Sequence, residues 1–271
     1  MGRLIMDRRK FLTFVGGASA LATMNANQKA DALEMAMEQE LENANINHIS
    51  KSPFCRAYGV DNNWESGPRI AGQLRHMGHE PRLPRMSAKP TLLEFFDKRI
   101  GHSSHLLQSA RLAKLNGLPE KMILACLLHD ISVTAYINVD HGYYGAQLVA
   151  PYVEEEISWA IKYHQSLRFI PDEEVDYPYP EAYIRYFGED YKPEPYIFKD
   201  GEYARNHKWY MTARQICIND VYSFDPNIQV SLDDFHDIIA RNWRDPEEGL
   251  GYDGSPSAHM WRTMIFPNNF L

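Results

Sequence analysis

From residue 91 onward the sequence reads as a succession of short helices separated by capping and breaking residues. Ser104 and Ser231 can cap helices, and Gly117 can end one. No stretch alternates apolar and polar residues as a half-buried strand does, so the sequence predicts an all-α domain. Helices are expected over about 91–99, 105–116, 119–131, a segment from 141, 151–165, 206–222 and 231–243.

Composition narrows the class of protein further. With 271 residues, 44% of them hydrophobic, the chain can bury a sizeable core. The net charge of -8 provides no basic field for a polyphosphate backbone, so nucleic acid is not expected as a partner. The three cysteines, Cys55, Cys126 and Cys217, are odd in number and widely spaced, and they predict no disulfide framework.

The N-terminal region does not read as part of the helical domain. Residues 1–26 place Arg8, Arg9 and Lys10 before a short apolar run and small-residue sites, the pattern of a cleavable signal. The consecutive arginines followed by Phe11 and Leu12 resemble a twin-arginine signal, which implies the twin-arginine translocase as a partner and a periplasmic or otherwise exported protein. A frayed cytoplasmic N terminus is the alternative. The apolar run is too short for a stable membrane span, which needs about 20 residues.

Two further segments are expected to be irregular. Residues 27–90 are polar and rich in Gly and Pro, and they predict an N-terminal arm with little regular structure, apart from helical character over 31–41. Residues 171–200 are crowded with Tyr and Pro, which argues against a regular helix. This Tyr/Pro-rich loop is interpreted as a cover on the core, with a lid over a substrate as the alternative.

The strongest chemical signal is the position of histidine and aspartate residues on the predicted helices. These residues fall at or near helix ends, which can converge on one point; they are His105, His129, Asp130, His141, His164 and Asp220. Imidazole and carboxylate groups suit iron, manganese or zinc, and six exceed what one tetrahedral zinc uses. A two-metal site with a carboxylate between the ions accommodates both His129 and Asp130, which are adjacent in sequence. His102 competes with His105 for the first position, but His105 has the better helical context.

This constellation resembles the HD-domain superfamily, helical metalloproteins named for an adjacent His-Asp pair, which stands here in Leu128-His129-Asp130. The resemblance covers 105–224 within a domain of 91–271 that includes a C-terminal extension. It implies a helical bundle with a dinuclear metal site between helix ends. In that arrangement Asp130 bridges the ions, His105, His129 and Asp220 hold one, and His141 and His164 hold the other.

Two branches of that superfamily carry the full ligand set and differ in chemistry. Three segments are similar to diiron oxygenases that cleave hydroxylated aminophosphonates. They are the residues from His105 to Ala113, those from His141 to Ala146, and His164 followed by Arg168. That resemblance implies two iron ions, with manganese or zinc as alternatives, and a small polar substrate whose phosphonate contacts Arg168. Asp130 and Arg168 are the expected catalytic residues. A metal-dependent phosphohydrolase and a non-catalytic metal-binding protein are the other hypotheses.

The segment after the His-Asp pair departs from both branches. The oxygenases have a substrate-contacting His there and many phosphohydrolases a Lys, whereas this chain has Ser132 and Val133.

Overall fold

The computed structural model describes residues 84–101, 103–135, 140–189 and 191–265, with isolated positions between 22 and 33. Almost all of the predicted signal over 1–26 and of the arm over 27–90 lies outside the described residues, as does His102. Three described residues of the arm, Lys29, Ala32 and Leu33, are helical, and Leu33 is fully buried. The signal and the irregular arm stay predictions.

The described residues form ten α-helices and no strand, which confirms the all-α prediction for this part of the chain. Asp172 and Tyr177 form an isolated antiparallel bridge. The helices are α1 (Leu92–Arg99), α2 (Ser103–Leu115), α3 (Glu120–Leu128), α4 (His141–Val149), α5 (Glu155–Leu167), α6 (Glu181–Phe187), α7 (Pro195–Arg205), α8 (Tyr210–Asp220), α9 (His236–Asn242) and α10 (Ala258–Ile265).

Capping residues explain where several helices begin and end. The Thr91 hydroxyl accepts a hydrogen bond from the Glu94 amide at 3.2 Å, so Thr91 caps α1. Gly117 follows α2 with a φ of +69°, a conformation that favours glycine. The Ser231 hydroxyl accepts from the Asp233 amide at 3.2 Å, but it caps a 3-10 turn over Leu232–Phe235 that precedes α9.

The prediction that residues 171–200 contain no regular helix is wrong. This range holds α6 and the first half of α7. Its prolines precede or open these helices, with Pro180 at the N-cap of α6 and Pro195 in the first turn of α7. A proline costs a helix no hydrogen bond at those positions, because the first amides have no partner within the helix.

The C-terminal helix α10 was not expected from the sequence, and it closes the bundle. Its Trp261 is fully buried, packs edge-on against Phe95 of α1, and donates from its indole nitrogen to the Leu148 carbonyl at 3.0 Å. The guanidinium of Arg99, also fully buried, donates to the Ile265 carbonyl at 3.0 Å. These contacts tie the end of the described chain to its first helix.

The core lies around α5, which packs against α3, α4, α7 and α8. Its apolar face presents Ile157, Ala160 and Ile161, each fully buried, to these neighbours. Because α4 and α8 also carry predicted ligands, their packing on α5 brings three ligand-bearing helices together. Among the described residues, no helix has the length and apolar character that crossing a membrane requires.

Candidate metal centre

The six predicted ligands come together in one buried cluster formed by helix ends. His105 lies in the first turn of α2, and His129 and Asp130 directly follow α3. His141 is the first residue of α4, His164 lies in the last turn of α5, and Asp220 is the last residue of α8. All six are between 0 and 7% exposed. The convergence expected from the sequence is therefore present in the structure.

Three of these residues meet on one side of the cluster. The Nε2 atom of His105 lies 3.2 Å from Nε2 of His129 and 3.0 Å from Oδ1 of Asp220. The Nε2 atom of His129 lies 3.7 Å from the same Asp220 oxygen. Two imidazoles and a carboxylate thus present their ligand atoms to a common point.

Two other histidines form the second side. The Nε2 atoms of His141 and His164 lie 3.1 Å apart, and they are 3.3 and 3.8 Å from Oδ1 of Asp130. The Asp130 carboxylate also faces the first side, with Oδ2 3.7 Å from Nε2 of His105 and Oδ1 3.5 Å from Nε2 of His129. Asp130 is therefore the group that both sides share.

These separations fit metal coordination. Two ligand atoms about 2.1 Å from one ion and at right angles to each other are about 3 Å apart. Two groups of three residues each place their ligand atoms within 4.8 Å of one another. The first group is His105, His129 and Asp130, and the second is Asp130, His141 and His164. The nitrogen and oxygen donors suit iron, manganese or zinc, so these buried groups can hold metal ions.

Nearby thiols do not enter the cluster. Cys126 and Cys217 are buried and lie in no disulfide, and burial raises the pKa of Cys126 to about 12. A thiol that stays protonated is a poor metal ligand. Among the described residues, the two groups of potential ligands contain histidine and aspartate and no cysteine.

Hydrogen bonds outside the cluster orient three of the imidazoles. Nδ1 of His129 lies 2.8 Å from the Cys126 carbonyl, and Nδ1 of His164 lies 2.5 Å from the Ile161 carbonyl. A carbonyl only accepts, so each Nδ1 carries a proton, and Nε2 is the ring atom that faces the cluster and can bind a metal ion.

The third orienting contact is to Ser223. Nδ1 of His105 lies 3.0 Å from the Ser223 hydroxyl, which itself donates to the Asp220 carbonyl at 2.5 Å. The hydroxyl proton is thus directed to Asp220, and the hydroxyl oxygen accepts from His105. One serine therefore fixes the ring of one ligand and contacts the backbone of another.

Electrostatics favour a cation between these residues. Burial would raise the pKa values of Asp130 and Asp220, but the surrounding histidines hold both well below the usual range of a carboxyl group. Burial would also lower the pKa of His129, yet the two carboxylates outweigh it and raise that pKa to about 9. Two ionised carboxylates buried together require positive charge nearby, which protons or metal ions can supply.

The pKa of His164 is shifted in the opposite direction to that of His129. Burial, helped by the neighbouring His141 and His129, lowers the pKa of His164 to about 4 against the pull of Asp130. Its ring is therefore neutral at pH 7, the form in which imidazole binds a metal ion.

Gln165 was not identified from the sequence, although it holds the turn that carries His141. Its amide nitrogen donates to Oδ1 of Asp140 at 3.1 Å, and its amide oxygen accepts from the Gly142 amide at 2.9 Å. The Ser132 hydroxyl donates to the His141 carbonyl at 2.9 Å. Side chains from two other parts of the chain therefore bind His141 and both its neighbours in sequence.

We expect Gln165→Leu, which keeps the size of the side chain but removes both hydrogen bonds, to weaken metal binding. Outer contacts of this kind typically contribute about 10- to 100-fold to affinity. Metal titration of the variant should show weaker affinity for the ion next to His141. Gln215→Leu on α8 is the control, since the Gln215 side chain accepts a hydrogen bond from Asn219 of the same helix at 3.5 Å. Equal affinity in the two variants would contradict this role.

The seventh predicted residue, Arg168, lies one turn beyond His164, at the end of α5. It is 2% exposed, and its guanidinium carbon lies 5.1 Å from the ring centre of Phe169. Its backbone carbonyl accepts a hydrogen bond from the Tyr177 hydroxyl at 3.0 Å. Arg214, fully buried, donates to the Leu167 carbonyl at 3.0 Å and fixes the preceding residue.

The chain is thus defined as a helical protein with a buried His/Asp cluster that can hold metal ions. No protein-family model matches the sequence, and no curated protein matches it.

Proposed function

We propose that this protein is a dinuclear metalloenzyme of the HD-domain superfamily, an iron-dependent oxygenase that acts on a small polar, phosphonate-bearing substrate. The observation that carries the proposal is the position of Asp130. Its carboxylate faces His105 and His129 on one side and His141 and His164 on the other. A single carboxylate shared by two pairs of imidazoles is an arrangement suited to a pair of metal ions.

The chain's own residues would divide the work as follows. His105, His129 and Asp220 would hold one ion, His141 and His164 the other, and Asp130 both. A pair of iron ions would supply Lewis acidity toward substrate oxygens and the redox capacity for oxygen chemistry. The protein provides a dry, rigid surrounding, because every ligand is buried and the Phe224 ring stacks on His105 at 4.3 Å.

Arg168 would bind the anionic end of the substrate. It stands four residues after His164, so both residues lie on the same face of the chain as α5 ends. A guanidinium binds a phosphonate or a carboxylate through two parallel hydrogen bonds, which fixes orientation as well as position. Ser132 replaces the substrate-contacting residue of related enzymes, and its hydroxyl is directed to the His141 backbone, which supports a structural role for it.

Export belongs to the same proposal. The Arg8-Arg9 pair and the apolar run after it support a twin-arginine signal and a periplasmic location. A folded protein can carry metal through that route, so both ions would be loaded before export.

The test of this function is metal content together with oxygen dependence. The purified protein should hold about two iron ions per chain, and a partly reduced sample should show a coupled mixed-valence signal. Turnover of hydroxylated aminophosphonates should require dioxygen and disappear in Asp130→Asn. Manganese or zinc with oxygen-independent release of phosphate from phosphate esters would establish the phosphohydrolase instead. Bound metal without turnover of either class would establish a non-catalytic metal protein.

A further inference from the structure

Gln108 of α2 is buried, at 2% exposure, and its amide group binds the backbone of a distant segment. It lies one turn after His105, so both side chains project from the same face of the helix. Its amide nitrogen donates to the carbonyls of Asp225 and Ile228 at 2.9 and 3.2 Å, and its amide oxygen accepts from the Asp225 amide at 2.9 Å. The helix that carries one predicted ligand is thus fastened to the segment that follows α8.

The segment that Gln108 binds begins at a second predicted ligand and contacts the first. Asp220 ends α8, and three residues later the Ser223 hydroxyl oxygen lies 3.0 Å from Nδ1 of His105. The next residue, Phe224, stacks its ring on the imidazole of His105 with ring centres 4.3 Å apart. A hydrogen bond at the edge of the imidazole and an aromatic ring on its face together fix its orientation.

Both ligands that this segment connects lie on the same side of the cluster. Nε2 of His105 is 3.0 Å from Oδ1 of Asp220, so the two ligand atoms can share one ion. The Ser223 amide donates to the Asp220 carbonyl at 2.9 Å, which keeps the start of the segment in a tight turn. The segment is therefore tied to Asp220 at its start and to Gln108 only a few residues later.

We infer that Gln108 is a positioning residue for the first of the two metal ions, the one that His105 and Asp220 would share. This inference rests on the dinuclear site of the proposed function, although not on the reaction that the site performs. The second side has a glutamine of its own, since Gln165 accepts from the Gly142 amide next to His141. Each ion is thus positioned by a different glutamine.

Replacing Gln108 by Leu shows why the effect should be confined to one ion. The backbone groups of Asp225 and Ile228 would lose their hydrogen bonds to α2, so the segment could move away from this helix. Ser223 and Phe224 would move with it, and the imidazole of His105 would lose the contacts that orient it. Ligands that are less well oriented bind a metal ion more weakly, because ordering them then opposes binding.

The experiment is a calorimetric titration of the full chain with zinc, in two backgrounds that each weaken one side of the cluster. In His164→Ala the first side is the intact one, and adding Gln108→Leu should weaken zinc binding about 10- to 100-fold. In His105→Ala the second side is the intact one, and adding Gln108→Leu should leave the zinc affinity unchanged. Ser223→Ala, which removes the acceptor for His105, should reproduce the first result and provides the test if Gln108→Leu fails to fold. Gln147→Leu, at an exposed position of α4, is the control and should change neither affinity.

The outcomes separate this inference from the proposed function. An unchanged zinc affinity in the His164→Ala background, or an equal loss in both backgrounds, overturns the inference even when oxygen-dependent turnover is found. Absence of zinc binding to the unmodified chain also overturns it. A loss confined to the His164→Ala background supports the inference even if the enzyme is a hydrolase or shows no turnover.

Discussion

Replacing Asp130 by Asn is expected to remove both metal ions from the protein. The substitution keeps the size of the side chain but eliminates the charge of the one carboxylate that faces all four ligand histidines. Each ion would then lose an anionic ligand, whereas loss of His141 or His164 would directly affect only one. Elemental analysis of the purified variant should find well under one ion per chain, against about two in the unmodified protein.

The control is Asp172→Asn, another buried aspartate in a polar network. Asp172 is 2% exposed, is paired with Arg205 at 3.2 Å, and accepts a hydrogen bond from the Glu174 amide. We expect this variant to lose stability and to keep its metal. Circular dichroism should show that both variants remain helical. Retention of both ions in Asp130→Asn would refute the ligand assignment, as would equal metal loss in the two variants.

Local signals in the sequence were sufficient to predict most helices. Thr91, Gly117 and the apolar residues of α2 act through neighbours in sequence, so the sequence alone identifies the helices they bound. The predicted first residues of the helices were less accurate. Helix α2 begins at Ser103 and not at His105, and α8 begins at Tyr210 and not at Asn206. Competing caps within one turn have similar energies, and tertiary packing decides between them.

The Tyr/Pro-rich range shows where composition misleads. The prolines of 171–200 predict a range without a regular helix, whereas Pro195 opens a helix there. The expectation of a cover on the core agrees with Tyr177 and Tyr183, both of which are buried. Composition thus indicated what the segment packs against. It did not indicate the backbone conformation, because the effect of a proline depends on its position within the helix.

The ligands and their supporting residues differ in how far the sequence reveals them. The ligands have the residue types that metals need, and their places at helix ends can be predicted from the same periodicity that gives the helices. Gln165 and Ser223 have no such signature, since their roles consist of hydrogen bonds to residues 23 and 118 positions away in sequence. Only the packing of α4 on α5, and of α2 on α8, brings these partners together.

Close packing of α4 on α5 also explains why a substitution at Gly142 is expected to have a large effect. A Cβ atom on Gly142 would lie 2.7 Å from the Ile161 carbonyl oxygen and 3.1 Å from that of Lys162. Both are backbone atoms of α5, so no side chain can rotate away to make room. The two helices must separate, and His141 and His164, whose Nε2 atoms are 3.1 Å apart, must separate with them.

We therefore expect Gly142→Ala to cost about 1 to 3 kcal/mol of stability, the usual range for overpacking, and to abolish binding of the ion between His141 and His164. Gly145→Ala, three residues along the same helix, is the control. Its Cβ would lie 3.4 Å from the His129 carbonyl and the Ile161 side chain, an ordinary contact. Alanine in place of a helical glycine should there stabilise by up to about 1 kcal/mol. Urea denaturation and metal analysis of both variants would measure the contrast, and similar values in the two would show that α4 does not set the distance between these histidines.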